Sequence, residues 1–193
     1  MEEKTNSFQA KTRSSWRSWL KKNHQKKESV WLIIYKKQSK IPSVDYPEAV
    51  EEALCFGWID SLANKRDETS YYQFFSQRKP KSNWSKVNKQ RVANLIEKGL
   101  MMPKGLEMVE LAKQTGTWTK LNEVDDIVLP EDLKKMFTKN KLAFKNWNGF
   151  AKSSRRVILE WILNAKRDET REKRLKETVE LAELNIKAHH PKQ

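Results

Sequence analysis

The segment FFSQRKPKSNWSKVNKQR, Phe74 to Arg91, holds six lysines and arginines, no acid and one tryptophan. Cations beside a helix start suit one phosphate, sulfate or carboxylate, because the first amide N–H groups of a helix lack intrahelical partners. Arg78, Lys81, Ser82 and Ser85 form the candidate anion site on this reading. Much of the same segment also reads as architecture. Pro80 forces an extended exit from a strand and Ser85 caps the next helix, while Trp58, Trp84 and Asn88 are structural or line a pocket. If the preceding hairpin turns near Asp67–Thr69, Asp60 lies across from Ser76 and Gln77, with Arg78 as a neighbour. An Asp60–Arg78 ion pair is then expected to pin the strand ends.

Other reactive side chains point less clearly to a site. Cys55 ends an amphipathic pattern and reads as a small buried hydrophobe, inert unless His24 approaches it. Asp125 and Asp126 sit in a polar connector, where turn-forming and solvated carboxylates are common. His189 and His190 fall in the tail KAHHPKQ and suit only an adventitious metal contact. No two glycines stand close enough for a phosphate-cradling turn. No cofactor and no metal site are therefore expected, and no catalytic constellation emerges.

The elements that must carry these residues follow from periodicity. Trp16, Trp19 and Leu20 make one stripe on a first helix, from about Lys11 to His24, and SVWLIIYKK reads as a buried strand. In VDYPEAVEEALCFGW, Asp45 caps a helix, Glu48 completes a capping box, and Ala49, Val50, Ala53 and Leu54 face inward until Gly57. Trp58–Arg66 and Ser70–Gln77 make an antiparallel hairpin, giving a meander or sheet of about three strands. Helices carrying Val92, Leu95 and Ile96, and then running from Pro103 to Gly116, close the first region. TWTKLNEVDDIVLP separates it from a helical remainder: a short helix begins at Leu133, Ser153 or Ser154 caps one with Val157, Trp161, Ile162 and Ala165, and a last one carries Leu175, Val179 and Ala182. The fold class is α+β, a small antiparallel sheet packed with helices and followed by an all-helical region. The expected lobes are residues 8–119 and 120–193, packed as one globular unit. Eight tryptophans spread almost one per element read as core anchors.

The net charge of +14 attracts nucleic acid, anionic lipid or acidic partners. The cations are dispersed and mixed with acids, as in Lys152 to Lys176, so most of them decorate exposed helix faces and polyanion binding should be weak and non-specific. The polar start MEEKTNSFQAKTRSS lacks the apolar run of a signal peptide. The longest strongly apolar run, Val30–Tyr35, is far short of the about 20 residues of a membrane helix. The expectation is a cytoplasmic protein with no membrane span.

Four segments in order, SWRSWLKKNH…VWLIIYKK, YPEAVEEALCFGWIDS, FFSQRKPKSNWSKVNKQRVANLIEKGLM and RRVILEWILNAKRDETREKRLKETVELA, together resemble the YdeI or OmpD-associated family of bacteriocin-protection proteins. The likeness runs from about Trp16 to Leu184. One position departs from it: the F-S-x-R segment often has proline before the arginine, where this chain has Gln77, which implies a less rigid loop. The resemblance implies a role in stress or antimicrobial-peptide tolerance and supplies no catalytic residues. With the residue-level reading, it points to a non-catalytic factor acting through a protein partner or a small anionic ligand; nucleic-acid binding and an unrecognised enzyme are the alternatives.

Overall fold

Alternation in SVWLIIY sets the layers of the first half of the chain. In a strand, successive side chains point to opposite faces, so Val30, Leu32 and Ile34 are buried against the helices. Trp31, Ile33 and Tyr35 take the other face. The computed structural model describes residues 4–189 and divides into two units, Met1–Thr119 and Lys120–Gln193. His190 lies outside the described residues.

The first unit contains β1 (Ser7–Gln9), α1 (Arg13–Asn23), β2 (Ser29–Tyr35), α2 (Tyr46–Cys55), β3 (Trp58–Lys65), β4 (Ser70–Gln77), α3 (Lys86–Glu97) and α4 (Pro103–Gln114). Its sheet has four strands in the order β1-β2-β4-β3. β1 runs parallel to β2 and the other pairs are antiparallel. The α+β class holds, but the sheet is mixed rather than wholly antiparallel and is not a meander, since β4 inserts between β2 and β3. β1 is only three residues long, too short for its alternation to register in the sequence.

Helix α1 starts in a reciprocal cap: Thr12 Oγ1 accepts from the Ser15 amide at 3.1 Å, and the Thr12 amide donates to Ser15 Oγ at 3.1 Å. Asp45 occupies the cap position of α2, yet its side chain makes no capping bond. The expected capping box is absent there, and Pro47 in the first turn presets the helix instead. Ser85 does cap α3, accepting from the Asn88 amide.

A layer of aromatic rings joins α1 to the sheet. Trp16 lies 5.2 Å from Trp19 and 5.4 Å from Phe75, and Trp19 meets Trp58 edge-on at 6.0 Å. Trp16 also donates its indole N–H to the Ala49 carbonyl of α2, which removes the cost of burying that polar group. Beside this layer Glu52 is 2 % exposed. Its two oxygens accept from Arg13 Nε and Arg17 Nη1, both at 2.6 Å, and Arg17 continues to the Leu100 carbonyl at 2.8 Å. One carboxylate thus fastens α1 to α2, and Arg17 extends the link to the α3–α4 connection.

Two glycines let α4 settle on the end of α2. A Cβ on Gly105 would stand 2.2 Å from the Cys55 carbonyl oxygen, a contact no side chain survives. Gly57 turns the chain out of α2 at φ +74°, where a Cβ would also crowd Lys104 and Met108 of α4.

The second unit is helical: α5 (Asn122–Asp125), α6 (Glu131–Lys139), α7 (Lys141–Gly149), α8 (Lys152–Leu163) and α9 (Asp168–Glu183). Leu133, Phe137, Trp147, Ile158, Ile162 and Leu175 centre its core. Helix α7, absent from the periodicity reading, is started by Asn140, whose side chain accepts from the Ala143 amide at 3.0 Å. Ser153 and Ser154 lie inside α8, which begins at Lys152 after Ala151 and has no side-chain cap. Val157 is 46 % exposed because the buried stripe of α8 is Ile158, Leu159 and Ile162. Asp125, read above as a solvated turn acid, is instead a largely buried partner of Arg156 Nε at 2.7 Å. Asp132 receives Arg171 through two nitrogens. Burial opposes ionisation of Asp132, but the Arg171 bonds and the Leu133 amide outweigh it and hold the carboxyl below its usual range.

Two stability tests follow from the first unit. Replacing both arginines, Arg13→Ala with Arg17→Ala, leaves Glu52 buried without a counter-charge. That double variant should lose about 3–5 kcal/mol in denaturant unfolding, and more than the sum of the single losses, since either arginine alone still neutralises the carboxylate. Strictly additive losses would show that Glu52 does not couple the two. At the hairpin turn, Asp67 accepts from the Ser70 and Thr69 hydroxyls and from both of their amides. These bonds hold its carboxyl well below the usual range. A depressed folded-state pKa stabilises above the unfolded value of about 4 and loses that contribution as pH falls. The stability gap between the parent and Asp67→Ala should therefore be widest near neutrality and narrow progressively below about pH 4. A gap that stays constant with pH would overturn the assignment.

Candidate functional site

The bulge in the hairpin decides what surrounds Arg78. Near the turn, Lys65 opposes Tyr71 and Ala63 opposes Gln73; beyond a register shift between Asp60 and Ala63, Asp60 opposes Phe75 and Trp58 opposes Gln77. The extra residue moves Asp60 one place back along β4. Asp60 therefore does not reach Arg78, and the expected ion pair is not made. Its Oδ2 accepts instead from the Tyr46 hydroxyl at 2.6 Å. Burial and this bond to a carboxylate together push the tyrosine up to about 12.

Arg78 follows β4 directly, its amide donating to the Gly57 carbonyl at 2.9 Å. Its guanidinium lies 3.6 Å from the ring centre of Trp84, and Trp84 is itself backed by Trp118 at 5.0 Å. Nη2 donates to the Asn83 carbonyl at 2.7 Å. The residue is only 5 % exposed, and both Nε and Nη1 are buried with no hydrogen-bond partner. Burial lowers its pKa to about 10, with the field of Asp60 opposing that shift. A cation held on an aromatic face, with N–H donors unspent and no carboxylate against it, is electrostatically incomplete.

Arg78 forms part of the wall of a cleft of about 500 Å³. His24 and Gln25 come from the end of α1, Phe56 to Trp58 from the α2–β3 turn, and Gln77, Arg78 and Pro80 from the strand exit. Lys104, Glu107, Met108 and Leu111 come from α4. The Trp58 indole and the Gln77 amide both donate to the His24 carbonyl, at 3.1 and 2.9 Å, and Gln77 also reaches the Lys27 carbonyl at 3.0 Å. Gln77, expected to loosen the loop, ties it down with two side-chain bonds. His24 Nδ1 lies 2.9 Å from the Leu20 carbonyl, so the neutral ring that donates there presents Nε2 as an acceptor.

The other residues of the expected anion site do not converge on Arg78 in this cleft. Lys81 is exposed and lies outside the lining. The Ser82 hydroxyl donates to the Lys79 carbonyl. Ser85 Oγ is spent on the Asn88 amide at 3.3 Å, and Asn88 Oδ1 accepts from Arg91. Trp58 lines the cleft, whereas Trp84 lies behind the guanidinium. His24, Lys104 and Met108 carry no sequence signal for this site, because the contacts that assemble them bridge about thirty to eighty positions. Cys55 is buried, and burial followed by the neighbouring Glu52 charge pushes its thiol up to about 11, which disfavours the nucleophilic thiolate. His189 stacks on Trp161 at 4.9 Å. Among the described residues no group of three or more potential ligands is placed to hold a metal, and no helix is long and apolar enough to cross a membrane.

Two family profiles match the chain. One, described as a domain of unknown function (DUF8412), covers residues 8–108, and the other, described as bacteriocin-protection, YdeI or OmpD-associated, covers residues 126–185. No curated protein and no solved structure matches. The first match takes in α1 to the start of α4, and so the whole cleft except Leu111; the second lies in the helical unit. The chain belongs to the family of the DUF8412 domain, which spans more than half its length, and carries a bacteriocin-protection, YdeI or OmpD-associated domain in its second unit.

Proposed function

We propose that the first unit is a non-catalytic receptor for a small anionic ligand, seated in the cleft beside Arg78. In this reading the protein acts in the cytoplasm as a stress or antimicrobial-peptide tolerance factor, transmitting ligand occupancy to a protein partner. The observation that carries the binding reading is the Arg78 guanidinium, buried with Nε and Nη1 unpartnered. Proteins seldom leave a buried charge uncompensated, since the desolvation cost is several kcal/mol; an anion in the cleft that Arg78 lines offsets that charge. The tolerance role draws its support from the family description alone.

Ligand anchoring and stability make opposite demands on this residue. Replacing a buried, unpaired cation with an apolar side chain of similar length removes the desolvation cost, although it also forfeits the Trp84 and Asn83 contacts. Arg78→Met should therefore fold with stability equal to or above that of the parent. Acetate, sulfate and phosphate at millimolar concentration, compared with chloride at matched ionic strength, should raise the melting temperature of the parent and leave Arg78→Met unmoved. A ligand that binds only the folded state at a hundred times its Kd stabilises by about 2.7 kcal/mol, which scanning fluorimetry detects readily. If parent and variant respond alike, or if Arg78→Met is destabilised by about 2 kcal/mol or more, Arg78 is structural and the reading falls.

A further inference from the structure

The charges and walls of the same cleft restrict what the anion is. Two cations line it, Arg78 and Lys104, but Lys104 Nζ already binds Glu107 Oε1 at 2.7 Å, both on the first turns of α4. That pair cancels to zero, leaving one uncompensated positive charge at Arg78. Around it the cleft is lined by apolar groups from three elements: Phe56 and Trp58 beside Gly57, Pro80 at the strand exit, and Met108 and Leu111 one and two turns along α4. A site for inorganic phosphate has the opposite character, with several converging cations and amide N–H groups. Here the hydroxyls of Ser82 and Ser85 are spent on the backbone and Lys81 stands apart.

From this arrangement we infer that the ligand is a singly charged organic carboxylate with an apolar body, its carboxylate on Arg78 and its body along Trp58, Met108 and Leu111. The inference rests on the cleft being an anion site, and it names the ligand class. One negative charge matches the one cation of the lining, among the described residues, that has no acid against it. A doubly charged head leaves a surplus charge facing Glu107. The apolar walls contribute only when the ligand brings surface for them to cover.

Titration calorimetry of the full chain with acetate, butyrate, hexanoate and octanoate tests this, alongside hexanol, inorganic phosphate and hexyl phosphate. Affinity should rise roughly fourfold per methylene until the body fills the cleft, the fold-change equivalent of the transfer free energy of one CH₂. Hexanol, lacking the charge, should bind at least tenfold more weakly than hexanoate. Arg78→Met should lose the distinction between hexanoate and hexanol. Leu111→Asn, on the cleft wall and only partly buried, should flatten the chain-length dependence. If affinity is independent of chain length, or if phosphate or hexyl phosphate matches the carboxylate of equal body, the ligand class is wrong while the anion site stands. If no anion binds, the anion site itself fails and the inference with it.

Discussion

A single buried carboxylate organises the first unit. Glu52 sits on the face of α2 turned toward α1, and burying it alone would cost several kcal/mol. It is tolerable only because α1 delivers Arg13 and Arg17 four residues apart, on one side of the helix, to its two oxygens. The requirement is reciprocal. Satisfying Glu52 fixes the rotation of α1, and that rotation carries Trp16 and Trp19 into the aromatic layer over Phe75 and Trp58. It also sets His24, at the end of α1, against Phe56. The position of one wall of the cleft is therefore a consequence of an ion pair two turns away.

Arg78 shows the converse arrangement. Where each oxygen of Glu52 accepts from an arginine, Arg78 keeps N–H donors unanswered at comparable burial. The two differ in which surroundings the chain provides. The bulge in β3 sets Asp60 opposite Phe75, where it accepts from Tyr46. The acid whose field reaches Arg78 is thus engaged elsewhere.

In the second unit the acids and arginines likewise work as cross-links between helices. Asp125 to Arg156 joins α5 to α8, and Asp132 to Arg171 joins α6 to α9. Much of the basic run from Lys152 onward is solvent-facing as composition suggests, yet Arg156 and Arg171 are only partly exposed and are held in ion pairs between helices. A count of net charge cannot distinguish the two populations, because it ignores which helix face each residue occupies.

The sequence by itself determined the α+β class, most helix and strand positions, the Ser85 cap and the location of Arg78 at the exit from a strand. Each of these rests on local signals: the 2.0 and 3.6 periodicities, proline and glycine stops, and a capping hydroxyl within three residues of its amide. The sequence also marked Arg78 as a cation beside a tryptophan and a helix start, and grouped it with Lys81, Ser82 and Ser85, which do not line the cleft. Tertiary structure alone decided the strand order, since β2 pairs with β4 across thirty-five to forty-seven positions, and decided that three-residue β1 joins the sheet at all. It also decided that one bulged residue separates Asp60 from Arg78, and that Lys104 and Met108 of α4, not Lys81, Ser82 and Ser85, face the cleft. The physical reason is the same in each case. A register shift or a helix packing angle is a sum of many weak contacts between distant segments, and no short window of residues contains that sum.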